Sequence, residues 1–235
     1  METQIKRELS GLYSLWGCGT MYTSNESWNK EEVKKFWKRS EADFAGDVSS
    51  PEIIRLSKKY IRNTILDVGA GSGALINLIP NAIGLDLVPK HPRMIKGDIL
   101  DMPFGDEVFD TIFATEILEH LDDETLNKGL DEIYRVLHRG GHLVITVPYN
   151  EDMKQNMVVC PKCGARFHRW GHMQVFDEKR MREMLERRGF EIAKIKRLPI
   201  GFMAEHKFIK QFKFFLKRFR FLSSGNLFVV AVKTK

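Results

Sequence analysis

Between Thr64 and Pro148 short apolar runs alternate with helical or turn segments, and no other feature of the chain constrains its fold as tightly. The runs are TILDVGA, AIGLDL, RMIKGD, FDTIFAT and HLVITVP. They lack the in-out alternation of a strand with one wet face, so they suit parallel strands covered on both sides. A strand-helix-strand order of this kind builds a doubly wound α/β sheet. Two further strand-like runs follow, FEIAKIKRL and NLFVVAVK. Helices are expected from about Asn29, where Ser27 or Asn29 could cap and Val33, Phe36 and Trp37 share a face, and from Ser50-Pro51. A third is expected from a cap at Asp122 or Asp123 to Gly140-Gly141, and a fourth from Asp177 to Gly189.

The 235 residues hold one generous domain or one domain with an insertion, and a 43% hydrophobic fraction is enough to bury a core. No apolar stretch reaches the eighteen or so residues of a membrane span, and METQIKRELSGLYSLWGCGT lacks a signal-like hydrophobic run, so the reading is a cytoplasmic protein. Three cysteines make a poor disulfide framework. The net charge is +6, but residues 206–222, HKFIKQFKFFLKRFRFL, carry six basic residues and no acid. Removing them leaves 37 − 6 = 31 basic against 31 acidic residues, so the body of the protein is balanced.

ILDVGAGSG, residues 65–73, is a strand running into a glycine turn, where Gly69, Gly71 and Gly73 permit a close ligand approach that a Cβ would block. Read as G-x-G-x-x-A over Gly69 to Ala74, it also passes for a nicotinamide-dinucleotide fingerprint. Asp86, ending GLDL, can accept both ribose hydroxyls in either class. Asp98, in KGDIL, can accept from an adenine amino group while Ile99 packs on the ring. FDTIFATEILEHL then sets Glu116, Glu119 and His120 just past the fourth strand, at the edge where such sheets bind ligands.

DVGAGSG, GLDL, KGDILDMPF, FDTIFATEILEHL and RVLHRGGHLVITVP resemble, in order, the successive motifs of class I S-adenosylmethionine-dependent methyltransferases, particularly the type 11 group. The last two runs resemble that family's antiparallel sixth and seventh strands, which nicotinamide-binding domains lack. The resemblance implies a Rossmann-like, seven-stranded, mostly parallel sheet with an antiparallel last strand, helices on both faces and an N-terminal helical cover. The expected plan is a single domain: a cover over 1–62, a cofactor-binding core over 64–148, an insertion over 150–175 and a C-terminal part over 177–235. The resemblance also implies that S-adenosylmethionine is held by Asp67, Gly69 and Gly71 at its methionine end and by Asp86 and Leu87 at the ribose. Asp98 and Ile99 would take the adenine, and Glu116 is a structural or methionine-end contact. Only a dozen residues separate Gly73 from Asp86, so the first helix must be short. His120 and His172 are the candidate catalytic bases, each weighed against a structural imidazole.

NMVVCPKCGARFHRWGHMQVF carries Cys160, Cys163, His168 and His172 in the order C-x2-C-x4-H-x3-H. Two thiolates and two imidazoles make a tetrahedral zinc set, and a metal would stabilise a loop with no core of its own. Against zinc stand free thiols, with His172 facing the substrate as in type 11 relatives. In 206–222, Phe208, Ile209, Phe212, Phe215, Leu216 and Phe219 recur at helical spacing with basic residues between them. Such a helix either covers the protein or lies in a membrane interface, where it would suit a lipid-linked acceptor. Nucleic acid ranks behind both, because the basic face is short. The resulting expectation is a methyltransferase acting on a small-molecule, glycan or lipid-linked acceptor. Its rival is a non-catalytic S-adenosylmethionine-binding or partner-binding module.

Overall fold

The structure is a computed structural model and describes residues 45–161, 164, 166–200 and 225–234. The helix expected at Asn29, Cys163, most of the N-terminal cover and the basic segment 206–222 lie outside these residues. The chain groups into two compact units, one containing Asp152–Met173 and the other containing Phe44–Glu151 with Gln174–Lys235.

The larger unit is built on a seven-stranded sheet. Its strands are β1 (Ile65–Val68), β2 (Ala82–Asp86), β3 (Met94–Lys96), β4 (Phe109–Thr115), β5 (Leu137–Pro148), β8 (Phe190–Leu198) and β9 (Asn226–Lys233). They lie in the order β3-β2-β1-β4-β5-β9-β8. The first five are mutually parallel, and β9 runs antiparallel to β5 and to β8 between which it lies. This is the expected Rossmann-like sheet. In the smaller unit, β6 (Met157–Val159) and β7 (Arg166–His168) pair as an antiparallel hairpin.

Both faces of the sheet's centre are dry, which is why β1, β4, β5 and β9 carry apolar runs, while β3 and β8 are partly exposed. On one face Leu66, Val68, Ile112, Ala114, Leu143, Ile145 and Val229 pack with α3 (Asp123–Val136) and α4 (Glu178–Glu186). On the other, Ile65, Phe113, Val144, Phe228 and Val230 pack with α1 (Ala45–Ser57) and α2 (Ala74–Leu78). Adjacent residues such as Ile112 and Phe113 therefore serve opposite layers. Among the described residues no helix is long and apolar enough to cross a membrane.

Three helix boundaries differ from the sequence reading. Helix α1 begins at Ala45, with Pro51 inside it rather than at its start. Proline there gives up its N–H and crowds the carbonyl one turn back, while the turn that follows is held by Ser57 Oγ donating to Ile53 O at 2.7 Å in the buried layer. Helix α3 ends at Val136 instead of reaching Gly140-Gly141. The residues beyond it already belong to β5, where Phe109 pairs with Leu137 and Thr111 with His142, so His138–Gly141 bulge out opposite Asp110. Helix α4 ends at Glu186, three residues short of Gly189. The caps fall where acids were expected: Asp122 accepts from Thr125 N at 2.8 Å and Asp177 from Arg180 N at 2.7 Å.

Helix α2 is only five residues long, as the spacing between Gly73 and Asp86 required. The Arg93 guanidinium braces this short crossover by donating to the carbonyls of Ile79, Pro80 and Ala82 at 2.8–3.0 Å.

Candidate functional site

Four parallel strands end along one edge of the large sheet, and the chain leaves each of them through an acid. Asp67 sits near the end of β1 and Asp86 ends β2. Asp98 lies two residues beyond β3 and Glu116 one residue beyond β4. The carboxyl ends of such strands, where crossovers to opposite faces part, leave a crevice for ligands.

The glycine turn after β1 shapes the first part of this edge. Gly69 has φ +69, and a Cβ there would lie 2.3 Å from Ile117 Cδ1. The turn is therefore backbone packed directly on the segment that follows β4. Gly73 has φ +87 and caps α2. Gly69 N and Ala70 N donate to Leu85 O at 2.8 and 3.2 Å, tying the turn to β2.

The Asp86 carboxylate is tied to the same turn. Its Oδ2 accepts from Gly71 N at 2.9 Å and its Oδ1 from Val88 N at 2.8 Å. Each oxygen keeps a lone pair for a further donor. Burial nevertheless raises its pKa, against the lowering effect of those two N–H groups and of Lys90. Asp67 is 2% exposed, and burial, with the Asp86 charge behind it, pushes its carboxyl up to about 8. Leu87, next to Asp86, is half-buried. Asp98 Oδ1 accepts from Leu100 N at 3.1 Å, and its backbone bridges to Asp101. Ile99 is buried in the core with its Cδ1 against Gly129.

The segment after β4 holds a second group of acids. Glu116 has φ +52, uncommon for a residue with a side chain. Its N–H donates to Thr146 O at 2.8 Å, and its Oε1 accepts from Asn226 Nδ2 at 2.9 Å. A single 3-10 turn, Leu118–His120, then carries Glu119, which is 1% exposed. Burial first, and then the Glu116 charge, hold its carboxyl well above the usual range. His120 is half-buried beside it, their ligating atoms lying within 4.8 Å.

Asn226 and the burial of Glu119 escaped the sequence reading. Asn226 is placed by the antiparallel pairing Pro148↔Asn226, a contact across the sheet that no local motif announces.

In the hairpin unit Cys160 is buried. Gly164, at φ +73, donates from its N–H to Cys160 O at 2.8 Å. His168 is buried, and its Nδ1 accepts from His172 N at 3.1 Å while the two rings stack at 4.6 Å. Among the described residues the ligating atoms of His168 and His172 lie within 4.8 Å of each other, but Cys160 does not join them in a three-donor group.

The glycine turn and the acids along this edge suit a cationic ligand rich in hydroxyl and amino donors. Two neighbouring carboxyls, Asp67 and Asp86, are acceptors whose burial and mutual repulsion a bound ammonium or hydroxyl pair would relieve. S-adenosylmethionine has this donor set, so the residues fit the cofactor that the motifs imply.

Comparison with known proteins gives the same direction. A family model described as a methyltransferase domain matches residues 31–195. An uncharacterised protein of Methanocaldococcus jannaschii is 32% identical over 134 residues, which is 52% of this chain and 58% of that protein, so the match spans under two thirds of the relative. Among solved structures, the Haloferax volcanii methyltransferase in complex with the Trm112 methyltransferase activator gives a TM-score of 0.58 at 20% identity, over 80% of this chain and 89% of that one. The Burkholderia thailandensis 1,6-didemethyltoxoflavin-N1-methyltransferase, solved with S-adenosylhomocysteine, gives 0.56 at 17% identity, over 87% and 84%. At these identities the two structures speak for the fold alone, whereas the family model covers most of the chain. With a β3-β2-β1-β4-β5-β9-β8 sheet and a glycine turn set against its acids, the chain belongs to the class I S-adenosylmethionine-dependent methyltransferase family.

Proposed function

We propose that this chain binds S-adenosylmethionine at the carboxyl edge of β1–β4 and transfers its methyl group to a small-molecule, glycan or lipid-linked acceptor. The observation that carries the reading is the junction of the glycine turn with Asp67 and Asp86, where Gly71 N and Asp86 Oδ2 meet at 2.9 Å. Asp67, Gly69 and Gly71 would hold the methionine end, Asp86 and Leu87 the ribose, and Asp98 with the edge of Ile99 the adenine. When bound, the cofactor supplies an electrophilic methyl on a sulfonium. The protein then has chiefly to align an acceptor atom behind that methyl and keep water out, since alignment supplies much of the rate of an in-line displacement. A base is needed only for an acceptor that must lose a proton, and His120 is assigned to that task, with His172 its alternative where that imidazole carries no metal.

In the hairpin unit we assign zinc to Cys160, Cys163, His168 and His172. The support is the closed turn between Cys160 and Gly164, the backbone shape that a thiolate pair needs. The metal would be structural.

Isothermal calorimetry with S-adenosylhomocysteine and with NAD tests the cofactor reading. S-adenosylhomocysteine binds and raises the melting temperature, as any ligand selective for the folded state must. Asp86→Ala weakens binding by about tenfold or more, the size of a lost hydrogen bond to a charged acceptor. Tight NAD binding without S-adenosylhomocysteine binding overturns the reading. Binding with no methylated product from a panel of metabolite and lipid extracts favours the non-catalytic module instead.

A further inference from the structure

We propose that the β6–β7 hairpin and the turn after it bind an unpaired stretch of RNA, with Trp170 stacking on a base and Lys154, Arg166 and Arg169 facing phosphates. Trp170 is 43% exposed. An indole left in water is a large apolar surface with a polar handle, the kind of group that proteins place where another molecule docks. Two backbone bonds bracket it. Arg169 N donates to Asn156 O at 2.8 Å, carrying the hairpin ladder one step past β7, and Gly171, at φ +73, donates from its N–H to His168 O at 2.9 Å. The Arg169 guanidinium lies over the indole, 5.7 Å from its centroid. A firmly held ring with a cation beside it suits a nucleotide, because every base has a π face and every link in the strand a phosphate.

The chain around Trp170 is cationic. Residues 152–173 carry Lys154, Lys162, Arg166 and Arg169 against one acid, Asp152. That acid is engaged in its own turn, its Oδ1 accepting from Lys154 N at 3.1 Å and its Oδ2 from Gln155 Nε2 at 3.0 Å. Lys154 and Arg166 are exposed, and among the described residues neither pairs with an acid. The excess positive charge is therefore open to an anionic partner.

The pattern of the exposed apolar groups favours RNA over a membrane. Val159, 52% exposed, pairs directly with Arg166 across the hairpin, and Met157, 36% exposed, lies two residues along the same strand. Sinking Met157 and Val159 into hydrocarbon would draw the Arg166 guanidinium out of water beside them, which is costly for a charge. Against an RNA strand the same arginine meets a phosphate. Unpaired RNA offers bases free to stack, whereas a duplex hides them. Neither the cofactor site nor a bound metal enters this surface, so RNA binding stands apart from the methyltransferase reading.

The test uses the full chain and a fluorescein-labelled oligouridine strand, with binding followed by anisotropy at low and high salt. Micromolar binding is expected, weakening as salt rises. Trp170→Ala should weaken it about tenfold or more, and Trp170→Phe, which keeps a ring, should stay within about threefold of the wild type. Arg166→Gln should reduce the salt slope by about one. If Trp170→Ala does not fold, ultraviolet cross-linking of the wild type to 4-thiouridine RNA decides, and the cross-links should fall within residues 152–173. No binding at low salt, binding untouched by Trp170→Ala, equal affinity for a fully paired duplex, or cross-links confined to other residues such as 206–222 would each overturn the site. Vesicle binding that is lost in Trp170→Ala, with no RNA binding, would overturn it in favour of a membrane.

Discussion

Asp67 holds its carboxyl in an environment far from what its type prefers. Its pKa is raised to about 8 by burial and by the charge of Asp86, against an ordinary value of 3.8. The folded, ligand-free protein thus holds a proton that the unfolded chain releases, so its stability falls as pH rises from about 4 to about 8. Asp67→Asn removes that dependence. Urea titrations across this pH range should show a flatter profile for the variant and higher stability near pH 8, while S-adenosylhomocysteine binding is lost. A variant that keeps the wild-type slope would show that another group carries it. The acid could be picked out in the sequence because it stands two residues before a glycine in a strand-turn-helix motif. Its perturbed proton could not, because that depends on how completely β2 and β4 enclose β1.

At the scale of elements, the strands were legible and the helix ends were not. FDTIFAT, FEIAKIKRL and NLFVVAVK match β4, β8 and β9 end to end: β4 and β9, buried on both faces, advertise themselves as apolar runs, whereas the partly exposed β8 alternates apolar and charged residues. The end of α3 is set from afar. Lys233 Nζ, on β9, donates to Tyr134 O and Leu137 O at 2.9 Å each and pairs with Glu107 at 3.0 Å, satisfying carbonyls that a glycine cap was expected to serve. The candidate site divides in the same way, its motif residues being readable and the Asn226–Glu116 bond not. The β6–β7 hairpin is a short element, and on the proposed zinc site a metal would fix it. Elemental analysis should find about one zinc per chain, released in Cys160→Ser with faster hydrogen exchange across residues 157–168. Metal-free protein with both cysteines rapidly alkylated would remove the zinc site and leave free thiols.

For the whole molecule, charge and topology each carry a consequence. The +6 excess resides in 206–222, and each basic residue near an anionic surface is worth about 1 kcal/mol. Sedimentation with phosphatidylserine vesicles at low and high salt should show little binding, as expected of a phenylalanine stripe packed on protein. Strong binding that is lost when Lys210, Lys213, Lys217 and Arg220 are changed to glutamate would point instead to a lipid-borne acceptor. The sheet order has a different implication. Strand β9 lies inside the sheet, and among the described residues β8 has no other strand as neighbour. On a ribosome, β1 to β5 can emerge and pair in turn, but β8 must wait for a strand made later. Until then the outer edge of β5 presents bare N–H and C=O groups to solvent. A nascent chain stalled before β9 is therefore the form of this protein most exposed to strand-mediated aggregation and most in need of a chaperone.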